Sequence, residues 1–205
     1  MIVFLEYMFY TGGMEKDIEP KTGSLILLVG PRSLNTTMLN AIARLGEGGA
    51  VRVLDGGNRF NAYIVSRAAR GRPEVLNRIT ISRAFTCYQV LSLLENIPVI
   101  PIPFIVLDLL STFYDESVRI GERKRLLQNC IKHLDRLVGA SMPQGTRTTN
   151  GGWKPNQLGC GVVSIHPPRV LSPHAVELLE MLQTSTEDTY FIQQVALAPE
   201  PMKLF

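Results

Sequence analysis

The sequence predicts an α/β domain built on a mostly parallel sheet with helices on both faces. Short β-rich runs alternate with helical patterns from Ser24 to the end, the signature of such a sheet. The run IPFIVLDLL, Ile102 to Leu110, is apolar without alternation, as a strand buried on both faces must be. At 205 residues, 45% of them apolar and 19% charged, the chain suits one domain with a substantial core and is too short to hold two comfortably. A net charge of +3 argues for a compact globule, so any nucleic-acid site has to be local.

Residues 1–19 read as an N-terminal extension and residues 20–205 as a single domain. SLILLV, Ser24 to Val29, is the first strand. After a Gly-Pro turn comes a helix with Met38, Leu39, Ile42 and Leu45 on one stripe and Gly46 as its stop. A second strand spans Ala50 to Leu54 and ends in Asp55-Gly56-Gly57-Asn58, followed by a helix from Arg59 to Arg70. RITIS, Arg78 to Ser82, is the third strand. Thr86 and Gln89 then form a capping-box pattern ahead of Val90, Leu91, Leu94 and Ile97. The run Ile102 to Leu110 is the fourth strand, with its polar end at Asp108.

From Gly121 to Val138 the residues Leu126, Leu127, Cys130, Ile131, Leu134 and Leu137 recur at helical spacing, opposite a charged face. The segment 139–159 has no apolar period, is rich in Gly, Thr, Pro and Asn, and reads as a mobile loop. GVVSI, Gly161 to Ile165, is the next strand. Ser172-Pro173 opens a helix to about Leu182, and TYFIQQV, Thr189 to Val195, is the last strand.

Cys87, Cys130 and Cys160 are odd in number and widely spaced, which fits reduced packing residues better than a disulfide framework or a zinc site. The opening MIVFLEYMFY contains Glu6, has no basic residues before it and lacks a small-residue cleavage site, so it does not read as a signal peptide. No run reaches the roughly 20 apolar residues that span a bilayer. These features predict a cytoplasmic protein without a membrane segment.

The chemistry centres on GPRSLNTT, Gly30 to Thr37. A P-loop, G-x-x-x-x-G-K-[ST], follows a buried strand, wraps phosphates with backbone N–H groups, and aims a lysine at the transferred phosphate and a hydroxyl at magnesium. Gly30 and Thr37 stand where that pattern wants them, but Asn35 replaces the second glycine and Thr36 the lysine. The competing reading is an ordinary strand-to-helix turn capped by Asn35 or Thr36. Downstream, the buried strand IPFIVLD ends in Asp108, where P-loop NTPases place the residue that orients magnesium through water. A second reading of Asp108 is that it caps a turn or pairs with an arginine.

RITISRAFTCYQVLSLLEN (Arg78 to Asn96), FIVLDLLSTFYDE and ERKRLLQNCIKHLDRLV together resemble the core of the RecA, RadA and RadB recombinases, over about Pro20 to Val138 and more loosely in the tail. DGGNRFN, Asp55 to Asn61, resembles the family's Asp-Thr-Glu-Gly stretch, whose glutamate polarises the attacking water, and Gly57 stands at that glutamate's place. The resemblance implies a RecA-like P-loop fold. The missing lysine and glutamate imply lost hydrolysis, because phosphoryl transfer depends on positioned charge.

The loop amides with Arg32, Asn35, Thr36 and Thr37, and Thr37 with Asp108, are expected at most to hold Mg-ATP weakly. By the same resemblance, DNA would meet Thr112 to Gly121 and the segment after Ile165, both short here. His166, Arg169 and His174 lie in the latter, where the lone histidines read as surface or capping residues. Arg147, Trp153 and Lys154 in the long loop offer an aromatic between cations for single-stranded DNA, against a packing role for Trp153. The functional expectation is a non-hydrolysing binding or assembly subunit in DNA recombination and repair, partnered by a RecA-like protein or by further copies of itself. Two alternatives stand beside it: an active DNA-dependent ATPase in which Arg32 or a partner supplies charge, and a nucleotide-sensing regulator.

Overall fold

The structure, a computed structural model, describes residues 23–100, 102–139, 160–186 and 188–192. The N-terminal extension, Arg147, Trp153, Lys154 and the end of the last expected strand lie outside these residues. Among the described residues six strands form one sheet: β1 (Leu25–Val29), β2 (Val51–Asp55), β3 (Ile79–Arg83), β4 (Phe104–Leu107), β5 (Gly161–Ile165) and β6 (Asp188–Phe191). All pairings are parallel and the order is β3-β2-β4-β5-β1-β6. The helices are α1 (Leu34–Gly48), α2 (Ala62–Ala68), α3 (Pro73–Asn77), α4 (Cys87–Asn96), α5 (Ile120–Val138) and α6 (Pro173–Gln183).

The two faces of the sheet carry separate core layers, because successive strand residues point to opposite sides. Ile26 and Leu28 pack with Val53, Ile105 and Val162 against Met38, Leu39 and Ile42 of α1, Val65 of α2 and Val75 of α3. Leu25, Leu27 and Val29 pack with Val106 and Val163 against Val90 and Leu94 of α4, Leu127 and Leu134 of α5 and Leu178 of α6. The strands flanked on both sides, β1, β2, β4 and β5, are buried almost throughout, as parallel strands covered on both faces must be. Chains leaving β2 and β4 turn to opposite faces, as do those leaving β1 and β5. Such reversals open crevices at the carboxyl edge of the sheet, the usual ligand position in open α/β sheets.

Several elements differ from expectation for identifiable reasons. Gly46 does not stop α1, which runs to Gly48 and closes where the Gly49 N–H donates to the Leu45 carbonyl. Gly46 is instead a close-approach residue, since a Cβ there would lie 2.9 Å from Cγ1 of Val75 on α3. The helix expected from Arg59 starts only at Ala62, because Asn61 caps it, accepting from the N–H groups of Tyr63 and Ile64. It ends at Ala68, and left-handed Arg70 and Gly71 break the chain before the single-turn helix α3, which periodicity did not reveal. The strand expected over Ile102 to Leu110 pairs only over Phe104–Leu107; Leu109 and Leu110 are buried from a 3-10 helix, Leu109–Tyr114.

The expected caps form. Thr86 Oγ1 accepts from the Gln89 N–H at 3.2 Å, and Gln89 Oε1 accepts from Phe85 N–H, one residue before the cap. Ser172 Oγ accepts from Ala175 N–H. The three cysteines are free. Among the described residues no helix is long and apolar enough to cross a membrane.

Candidate functional site at the carboxyl edge of the sheet

Four strand ends meet here: Gly30 follows β1, Asp55 ends β2, Asp108 follows β4 and His166 follows β5. Asp55 is fully buried and organises the loop that follows it. Its Oδ1 accepts from the Arg59 N–H at 2.7 Å, and its Oδ2 from the Phe60 N–H at 3.0 Å and from Arg83 Nε at 3.0 Å. A carboxylate with three donors satisfies backbone groups that a tight buried loop would otherwise strand. The loop in turn brings the Arg59 side chain across to β4.

There Arg59 Nε donates to Asp108 Oδ2 at 2.8 Å. The other oxygen, Oδ1, accepts from the His166 N–H at 3.1 Å and has His166 Nδ1 at 3.4 Å. Asp108 adopts a left-handed conformation, φ 53°, and its own N–H donates to Ser164 Oγ at 3.1 Å. Burial alone would raise the Asp108 carboxyl, but the contacts from His166 and Arg59 outweigh it and hold it below the usual aspartate range. Burial, and after it the Asp108 charge, pushes the Tyr114 phenol above its ordinary value.

Gly57 sits directly against this aspartate. A Cβ at position 57 would fall 2.5 Å from Asp108 Cβ and 2.6 Å from Asp108 Oδ2. Any side chain there, a glutamate included, collides with Asp108 as placed.

The segment Gly30 to Thr37 forms a closed turn. The N–H groups of Leu34, Asn35 and Thr36 donate to the carbonyls of Pro31, Arg32 and Ser33 at 2.9 to 3.1 Å. A phosphate-wrapping loop presents such amides to its ligand. Gly30 is packed under Ile192, where a Cβ would find Ile192 Cβ at 3.1 Å. Ser33 stands at the helix cap without a side-chain cap bond, so neither Asn35 nor Thr36 is the cap. Asn35 Nδ2 instead donates to the Arg59 carbonyl at 3.1 Å, tying the turn to the Arg59 loop. Arg32 is exposed, Thr37 is half-buried, and exposed Thr36 lines a groove between α1 and α2.

A magnesium ion, which the P-loop resemblance implies, does not fit these residues. One Asp108 oxygen holds a guanidinium and the other accepts from a backbone N–H. A dication beside Arg59 would have to displace it. The geometry therefore matches the arginine-paired reading of Asp108.

The sequence had not singled out Arg59, Arg83 or Ser164. Arg59 lies within the DGGNRFN stretch, and a cation four residues after a buried strand's aspartate was the available signal. His166, expected at the surface or as a cap, is buried against Asp108, and among the described residues both its ring nitrogens lack a hydrogen-bond partner. His174 is exposed, as expected, and so is Arg169. Two arginines of α5 bind backbone, buried Arg123 donating to the Phe113 carbonyl at 3.0 Å and Arg136 to the Leu94 carbonyl at 2.8 Å, while Arg125 pairs with Glu122. No protein-family model matches the sequence, and no curated protein matches it.

Proposed function

We propose that this chain is a RecA-like domain that has ceased to hydrolyse ATP and acts as a binding or assembly subunit in DNA recombination or repair. The ordered resemblance from Pro20 to Val138 supports the family, and an all-parallel sheet with helices on both faces is compatible with a P-loop or Rossmann-like architecture. The observation that carries the loss of hydrolysis is the Arg59–Asp108 ion pair, which neutralises the carboxylate a magnesium-nucleotide would need. Thr36 in place of lysine, Gly57 in place of glutamate and the closed Gly30 to Thr37 turn point the same way.

An assembly role is supported by edge strand β3, paired only with β2 among the described residues. Ile81 is exposed on it, and Phe85 (69% exposed) and Tyr88 lie just beyond. A RecA-like protein or a second copy of the chain is the partner this reading implies.

The test is phosphate release from Mg-ATP in the presence of single-stranded DNA, for the wild type and for Thr36→Lys. Neither should turn over, because the lysine would meet a closed turn and an already neutralised aspartate. Turnover by the wild type, or a large gain from the single lysine, would favour the active-ATPase alternative.

A further inference from the structure

We propose that the groove between α1 and α2, on the sheet face away from α4, α5 and α6, binds the phosphate chain of a single-stranded nucleic acid. It has a volume of about 960 Å³ and is lined by Arg44, Arg67, Arg70, Arg72 and Tyr63, with Glu47 the one acid among the described lining residues. Glu47 is paired with Arg72. The side chains of Arg67 and Arg70 are exposed and have no ion pair among the described residues. A solvated guanidinium on a helix is unremarkable by itself, but these converge on one concave surface, where their fields add and water screens them less.

Two further observations narrow the ligand. Arg70 occupies the left-handed region, φ 53°, immediately before Gly71 at φ 75°. Glycine or asparagine would take that conformation at lower cost, so the backbone does not explain an arginine there. Tyr63, 73% exposed, stands four residues before Arg67 and so on the same face of α2. An aromatic ring left in solvent beside guanidiniums offers a stacking platform to an unpaired base while the arginines hold phosphates. The groove chemistry would take any single-stranded phosphate chain, and the inference rests on the function proposed above only for choosing DNA.

Fluorescence anisotropy of a labelled oligodeoxythymidylate, titrated with the full chain over a range of salt, tests the proposal. The comparison is among the wild type, the Arg67→Ala/Arg70→Gly double variant and Tyr63→Ala, with urea midpoints to verify folding. The double variant should bind on the order of 10-fold or more weakly, with a log–log salt slope shallower by about 1.4. Tyr63→Ala should weaken binding on the order of 10-fold with the slope unchanged. The proposal is overturned if the wild type does not bind, or if it binds and the folded variants bind equally well. It is also overturned if a labelled polyglutamate peptide competes as strongly and responds to the same substitutions, which would assign the groove to an acidic protein segment. Phosphate release on adding Mg-ATP to the same samples would sink the non-hydrolysing reading while leaving the groove intact, so the two failures are distinguishable.

Discussion

The carboxyl edge of the sheet and the α1–α2 groove both carry arginines, and they use them in opposite ways. At the edge Arg59 and Arg83 close on Asp108 and Asp55, buried carboxylates already committed to backbone or neighbouring donors. In the groove Arg67 and Arg70 face solvent with no carboxylate of their own among the described residues. Charge that is internally cancelled holds a fold in place, whereas uncancelled charge gathered on a concave surface is available to a partner. The position where a nucleotide would be sought is therefore the self-contained one, and the uncancelled charge lies on a helical face.

If the edge is structural, the largest effect should come from its most buried charge. Asp55→Ala strands the Arg59 and Phe60 N–H groups and Arg83, and should lower unfolding free energy by about 3 kcal/mol or more in urea titrations. A loss under about 1 kcal/mol would mean that the Arg59 loop does not depend on that carboxylate.

Gly57→Ala should cost about 1–3 kcal/mol by forcing Asp108 aside, measured the same way. A neutral result would reopen position 57 to a glutamate.

The pH dependence follows from the lowered Asp108 carboxyl. A group whose folded pKa is depressed contributes stability that is present above its unfolded value, about 3.9, and lost as pH falls through the folded value. The urea midpoint of the wild type should therefore fall more steeply than that of Asp108→Asn as pH drops below about 4. Parallel curves would show that the Arg59 and His166 contacts contribute no net stabilisation.

At the other end of the scale, Arg67→Ala should change stability by less than about 0.5 kcal/mol. A larger loss would make the groove a structural feature like the edge.

The frame was legible where local chemistry fixes it. Buried runs such as Leu25–Val29 and Gly161–Ile165 announce central parallel strands, and Thr86, Ser172 and their partners mark helix starts through bonds made within a few residues. Legibility failed where a residue answers to something distant in sequence. Gly46 looks like a stop, yet it is a contact for Val75, and Leu109 and Leu110 look like strand, yet they are buried from a 3-10 turn. For the site, Asp108 was identified at the end of its strand, and pairing with an arginine was one branch of its second reading, beside capping a turn. Which arginine could not be read, because Arg59 reaches it across 49 residues of sequence by way of a loop that Asp55 shapes. The burial of His166 depends likewise on β4 and β5 lying side by side.

The most direct test of the central claim is thermal unfolding of the purified chain with and without millimolar Mg-ATP, for the wild type and Asp108→Asn. A ligand that binds the folded state raises its melting temperature by mass action. An edge already neutralised by Arg59 predicts superimposable melts for the wild type. A rise of several degrees that disappears in Asp108→Asn would contradict the account and make Asp108 a working nucleotide-site residue.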